Sequence, residues 1–101
     1  PYLAVANHHD YSSYNTDSKV YNWDGSSFVE FQSIPTKGAL DWEAFVIDGT
    51  PYLAVANYQD GSGGGSNIID SKVYNWDGSS FVEFQSIPTN GANDWEAFVV
   101  D

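Results

Sequence analysis

No cysteine, methionine or arginine occurs in the 101 residues, and three lysines face fourteen carboxylates, leaving a formal net charge of −11. The missing thiols exclude a disulfide framework, a thiolate zinc site and a cysteine nucleophile. They do not fix the compartment, because an extracellular β-fold can manage without disulfides. With Lys19, Lys37 and Lys72 as the whole set of lysines, no basic patch is available for nucleic acid or for anionic membrane. No apolar run approaches the length of a membrane span, so no membrane insertion is expected. A signal-peptide pattern and an Asn-x-Ser/Thr sequon are also lacking. The chain opens at Pro1 without an initiator methionine, as an excerpt or a processed product does. What is abundant points to order: 42% of residues are hydrophobic and 17% aromatic, enough apolar surface to offset the entropy of folding.

The dominant feature is an internal repeat. Pro1–Asn7 (PYLAVAN) returns unchanged at Pro51–Asn57, and Asp17–Thr36 returns unchanged at Asp70–Thr89. Residues 37–48 and 90–101 differ only at Lys37/Asn90, Leu40/Asn93 and Ile47/Val100. Self-similarity at a period of about fifty residues signals a propeller or a solenoid array. Each period carries four strand signals: Asp41–Asp48, Tyr52–Ala56, Lys72–Trp76 and Phe81–Ile87. Asp48-Gly49 and Asp77-Gly78 supply the residues that tight hairpins need. Pro51 stands at a strand start, where a missing N–H is tolerated. The expected fold class is all-β, with β-propeller blades: two four-stranded antiparallel blade equivalents per chain. A sandwich of two copies is the alternative, but apolar residues on both faces of most strands suit blades packed between neighbours.

The series DWEAFxxDGxxYLAVAN…SKVYNWDGSSFVEFQSIPT resembles the EAR repeat, also called the epitempin or EPTP repeat, over essentially the whole chain. A weaker likeness, in DG-x-x-YLAVAN, is to the FG-GAP blades of integrin-type propellers. The EAR resemblance implies a secreted or ectodomain setting, a seven-bladed propeller and binding to other proteins. It also implies that Asp41–Asp48 is the innermost strand, followed outward by the other three. On that phase, residues 1–48 form a first repeat, supplying strands two to four of one blade and the inner strand of the next. Residues 51–101 form a second repeat, whose final strand, Asp94–Asp101, lacks a blade of its own. Two blades cannot close a ring, so head-to-tail assembly is expected, with 94–101 completing the blade begun at Pro1 of the next copy. Tyr2, Leu3, Val5, Trp95, Phe98 and Val100 are the expected closure residues. A trimer or tetramer would give six or eight blades. An excerpt from a longer array is the alternative.

The candidate chemistry is sparse. Asp41 and Glu43, repeated as Asp94 and Glu96, lie two apart on a strand and so share a face. Ring symmetry would multiply them around a channel, where calcium or another hard cation could bind through Asp41 and Asp94. Solvated strand-end carboxylates are the plainer reading, and no cofactor is required. Catalysis by paired carboxylates needs two different environments, which near-identical repeats do not provide. His8-His9-Asp10 could bind a transition metal, but Tyr58-Gln59-Asp60 replaces it in the second copy, and neighbours on a strand point to opposite sides. Loop variation is the simpler account. Ser62–Ser66 is a Gly/Ser loop and not a phosphate loop, since no Gly-Lys-Ser/Thr follows.

The first functional expectation is a non-enzymatic binding module that engages partner proteins through the divergent loops 8–16 and 58–69. His8, His9, Asp10, Tyr58, Gln59 and Asp60 are its candidate residues, with Trp23 and Trp76 beside the Asp-Gly turns. A second is a multivalent carbohydrate-binding propeller with stacking tryptophans and tyrosines. A third is a structural repeat, amplified or engineered, whose property is self-assembly.

Overall fold

The computed structural model describes residues 1–9, 13–59 and 67–100, so Asp10, Asp60 and the 62–66 loop lie outside the described residues. Among the described residues there are strands and turns but no helix. Strands β1 (Tyr2–Val5), β2 (Asn15–Trp23) and β3 (Phe28–Lys37) form one antiparallel sheet in that order. Strands β4 (Ala39–Ile47), β5 (Thr50–Asn57), β6 (Ile68–Trp76) and β7 (Phe81–Asn90) form a second, again in chain order. The second sheet contains the four expected strands. The first is the same sheet without a β4 equivalent, so among the described residues the outer edge of β1 has no strand beside it.

Local sequence explains the turns. Between Ile47 and its partner Thr50, Asp48 and Gly49 have φ of 49° and 81°, the paired positive values of a two-residue hairpin turn. At the next hairpin Asp77 Oδ1 accepts the Ser79 and Ser80 N–H groups, both at 2.9 Å, and Asp24 does the same for Ser26 and Ser27. These bonds hold both carboxyls below the ordinary value of 3.8. Pro35 and Pro88 fall inside β3 and β7, which are the edge strands where proline costs least.

The strands outrun the sequence expectation at one end. The third strand starts at Ile68 instead of Lys72, and the fourth continues to Asn90 instead of stopping at Ile87. Polar residues hid these extensions, and their hydroxyls are the reason they are stable. Ser71 is fully buried, and its Oγ lies 2.8 Å from Thr89 Oγ1, which in turn donates to the Ile69 carbonyl at 2.9 Å. With the threonine proton committed there, Ser71 is the donor of the pair. Its oxygen then accepts the Asn57 N–H at 3.1 Å. The Asn57 amide donates to the Asp70 carbonyl and accepts the Lys37 N–H, each at 3.0 Å. Asn7, Ser18 and Thr36 repeat the hydroxyl chain in the first sheet.

The core lies where the two sheets face one another, built by Val20, Ile34, Ala39, Leu53, Val55, Tyr74 and Phe81. Phe31, Trp42 and Trp76 pack against it. Burial pushes the Tyr74 phenol up to about 12, with the nearby Glu83 charge adding to the shift. One side chain closes the joint by hydrogen bonding: Gln32 of β3 accepts the Phe81 N–H at 2.9 Å and donates to the Phe81 carbonyl at 2.7 Å. The chain crosses between sheets at Gly38, whose φ is +59°. A Cβ there would stand 2.9 Å from the Gln59 carbonyl oxygen, so glycine is needed on both counts.

Residues 92–100 make no ladder, although Asp94–Asp101 repeats β4 almost letter for letter. The physical reason is the absent partner. β4 is a strand because β5 pairs with it, from Ala39↔Asn57 to Ile47↔Thr50, whereas 92–100 pairs with no strand among the described residues. It is anchored by its tryptophan: Trp95 Nε1 donates to the Val55 carbonyl at 2.8 Å. Trp42 Nε1 makes the same bond to Val5 at 3.0 Å, and Val5 is the repeat counterpart of Val55. The segment therefore sits against the second sheet as β4 sits against the first.

Candidate interaction site

Two places gather the chemically distinctive residues. The first is the edge where β4 and residues 94–97 run side by side. Asp41 and Asp94 come together here through a hydrogen bond between their carboxyls. That bond raises the Asp41 carboxyl above 3.8, helped by partial burial and by the charges of Asp94 and Glu43. Glu43 lies along the same face, its Oε2 accepting the Ala97 N–H at 3.2 Å. Among the described residues, no group of three or more His, Cys, Asp or Glu could hold a metal ion. The pair supplies two oxygen ligands toward a hard cation's usual six to eight, roughly.

The sign of this shift gives a pH test. A carboxyl raised in the folded state contributes stability that is complete below the ordinary value of 3.8 and is lost as pH climbs through the raised value. Asp24 and Asp77 act oppositely, since their lowered values give stability that is lost on acidification. Asp41→Asn isolates the first effect, because it keeps a hydrogen-bonding partner for Asp94 and removes the titration. Melting temperature measured against pH should show the variant gaining on the parent as pH rises above 3.8. A constant difference between the two curves would contradict it.

The second place is where the divergent segments meet. His8 packs edge-on against Tyr14 at 4.9 Å and lies 5.9 Å from Tyr58 of the other repeat. His9 also packs on Tyr14, at 5.3 Å. The two histidines do not point to opposite sides as expected. Their rings stand 5.3 Å apart, because residues 6–9 are not strand and strand alternation does not apply. The His8 Nδ1 is buried with no hydrogen-bond partner among the described residues. Tyr58 and Gln59 are held by main-chain bonds to Gly38 and Lys37, at 3.1 and 3.4 Å. The segments that differ between repeats thus share one edge of the molecule.

The remaining candidates separate. Trp76 is half-buried in the inter-sheet joint, stacked on Phe31 at 5.8 Å, so its turn does not present it as a ligand platform. Trp23 is 43% exposed and packs edgewise on Phe28. Tyr2, Leu3 and Val5 lie exposed on the free edge of β1. Phe98 and Val100 are exposed, whereas Trp95 is half-buried against the second sheet. Sequence reasoning missed Gln32. Nothing distinguishes a lone glutamine between a phenylalanine and a serine in a strand, except that its copy, Gln85, returns in the same setting.

No helix among the described residues is long and apolar enough to cross a membrane. The EPTP domain matches this chain over residues 27–77 and 80–101. A mouse protein, the thrombospondin-type laminin G domain and EAR repeat-containing protein of Mus musculus, is 44% identical over 103 aligned residues. That alignment covers 98% of this chain and 15% of the relative. The Homo sapiens protein of the same name is 43% identical, over 85% of the chain and 13% of its own length. Leucine-rich repeat LGI family member 3 of Macaca fascicularis is 35% identical, over 75% of the chain and 13% of its length. The chain thus spans a small part of each relative. Repeats of this length, matched over most of the chain and folded as sheets of the same strand order, leave one assignment: the chain belongs to the EPTP, or EAR-repeat, family.

Proposed function

We propose that this chain is a non-catalytic interaction module of extracellular type: two blades of a β-propeller presenting a protein-binding edge. The observation that carries this reading is the meeting of His8, His9, Tyr14 and Tyr58 on one edge. These residues belong to the parts of the repeat that diverge, while the strands beneath them stay nearly identical. Variation placed on a constant frame is where recognition usually resides. The test is a screen against secreted and ectodomain proteins, with each hit remeasured on His9→Ala and Gln59→Ala. Binding should weaken about tenfold or more, with the melting temperature unchanged. Equal binding by parent and variants would remove this edge from the proposal, and hits confined to a glycan array would turn it toward sugar binding.

The two repeats are further proposed to close a propeller by head-to-tail association of three or four copies. The supporting observation is Trp95, which makes at Val55 the bond that Trp42 makes at Val5. On this reading the segment from Asp94 is the inner strand of a blade whose other three strands begin at Pro1 of a second copy. The β4–β5 register, carried over by one repeat, pairs Trp95 with Val5 and Ala97 with Leu3 of that copy. Repeated Asp41–Asp94 pairs would line the channel, and a calcium ion could be bound there.

A further inference from the structure

The open face of the second sheet, bearing Tyr52, Phe84 and Gln85, has the composition of a binding joint. It is lined with residues 95–99 around a hollow of about 530 Å³. We infer that its occupant is the first sheet of a second copy, clipped by Gln85 to the main chain of Phe28. This rests on the head-to-tail reading above and assigns the contacts that would make it specific.

The argument comes from the joint already present within one chain. There Gln32 grips both main-chain groups of Phe81, Phe31 stacks on Trp76, and Tyr2 packs beside both rings at 5.3 and 5.9 Å. Every residue of that joint has its repeat counterpart on an open flank. Gln85 and Phe84 copy Gln32 and Phe31, and Tyr52 already packs edge-on to Phe84 at 5.4 Å, as Tyr2 does to Phe31. On the other flank Trp23 and Phe28 copy Trp76 and Phe81. Exposure follows position instead of residue type. Phe81, inside the joint, is 9% exposed, whereas Phe28 is 41% exposed, and Phe84 stands at 56% where Phe31 is half-buried. Both halves of a second, identical joint are therefore present on one molecule and cannot reach each other within it. Two different patches that complement each other on one molecule are satisfied head to tail by another copy.

The same translation supplies two further bonds. The Lys37 N–H donates to Asn57 Oδ1, and Tyr58 N–H donates to the Gly38 carbonyl. Their counterparts are the Asn90 N–H with Asn7 Oδ1, and the His8 N–H with the Gly91 carbonyl, each across copies. The Gly91 site agrees with this. A Cβ at Gly38 meets Gln59 at 2.9 Å, while at Gly91 no described residue lies nearer than 3.6 Å, so the counterpart of Gln59 has room to dock there from a second copy.

The experiment is solution mass of the full chain, by light scattering and native mass spectrometry, across a dilution series. The parent should have three or four times the 11.1 kDa chain mass. Phe84→Glu places a charge in the joint at a side chain that is exposed in the single chain, so it should give a folded monomer. Gln85→Ala should raise the dissociation midpoint about tenfold, from two lost hydrogen bonds. Gln32→Ala, by contrast, should lower the melting temperature of the monomer. A parent of 11.1 kDa at every concentration would overturn both the ring and the joint, the flank then being covered by another protein or by further blades of a longer chain. An oligomer indifferent to Phe84→Glu and Gln85→Ala would overturn the joint alone.

Discussion

Trp42→Ala should lower the unfolding free energy by about 3 kcal/mol, toward the lower end of aromatic-to-alanine losses because the ring is only half-buried. Two effects combine. The indole packs against the core that joins the sheets and lies 5.9 Å from the Tyr74 ring, so its removal opens a gap at the seam. Its Nε1 proton also leaves the Val5 carbonyl, to which it is bonded at 3.0 Å. A lost bond of this type is worth about 1 kcal/mol. Against the roughly 5–15 kcal/mol that stabilise an ordinary domain, this is a large fraction. Urea titration should show a lower midpoint with an unchanged slope. Trp42→Phe, which keeps a ring but not the donor, should recover most of the loss. A loss under about 1 kcal/mol in the alanine variant would mean that the sheets unfold independently, contrary to a shared core.

The strand order was legible because periodicity and turn chemistry agree in this chain. DWEAFVID, the Asp48-Gly49 turn and the apolar run from Tyr52 act together, and β4 and β5 pair across that turn. Strand ends were less legible where buried hydroxyls do the work of apolar side chains. Ser71 and Thr89 look like loop residues until their hydrogen bonds are seen. The C-terminal segment shows a different limit: a sequence encodes the propensity of a strand, but a ladder requires a second edge. Residues 94–100 have the first and lack the second among the described residues.

The interaction residues were legible in unequal measure. Divergence between repeats singled out His8 and Tyr58, and the fold brings them to 5.9 Å. Asp41 and Asp94 were paired by symmetry alone, and the folded chain brings their carboxyls into a hydrogen bond. Gln32 and Asn57 escaped notice because each acts through main-chain atoms 49 and 20 positions away, respectively. No local pattern reports a bond of that kind. Trp76 was equally hard to place, since beside its turn it is either a platform or a wedge, and only the stacked Phe31 decides for the wedge.

Asn57→Ala should cost about 2–4 kcal/mol, the second large loss expected in this chain. Asn57 is 2% exposed, and its side chain satisfies the Asp70 carbonyl and the Lys37 N–H together, each at 3.0 Å. Alanine takes away the partner of both main-chain groups at the rim of a buried side chain, although Lys37 and Asp70 themselves are exposed, and a group left unpaired in such a part-buried bond costs more than the bond itself contributes. Asn57→Asp should also destabilise, because the carboxylate cannot donate to the Asp70 carbonyl and adds a charge to a chain already at −11. Asn7 is the control built into the repeat. It bonds the Asp17 carbonyl at 2.8 Å but stands at the free edge, where no copy of Lys37 reaches its oxygen. Asn7→Ala should therefore cost only about 1 kcal/mol in a single chain. Head-to-tail closure would bring the Asn90 N–H of a second copy to that oxygen, and the two losses would then converge. Thermal denaturation of both variants at low and high protein concentration separates these cases. Losses that approach one another as the chain is concentrated mark the completed blade. Losses that keep their ratio at every concentration leave the β1 edge without a partner.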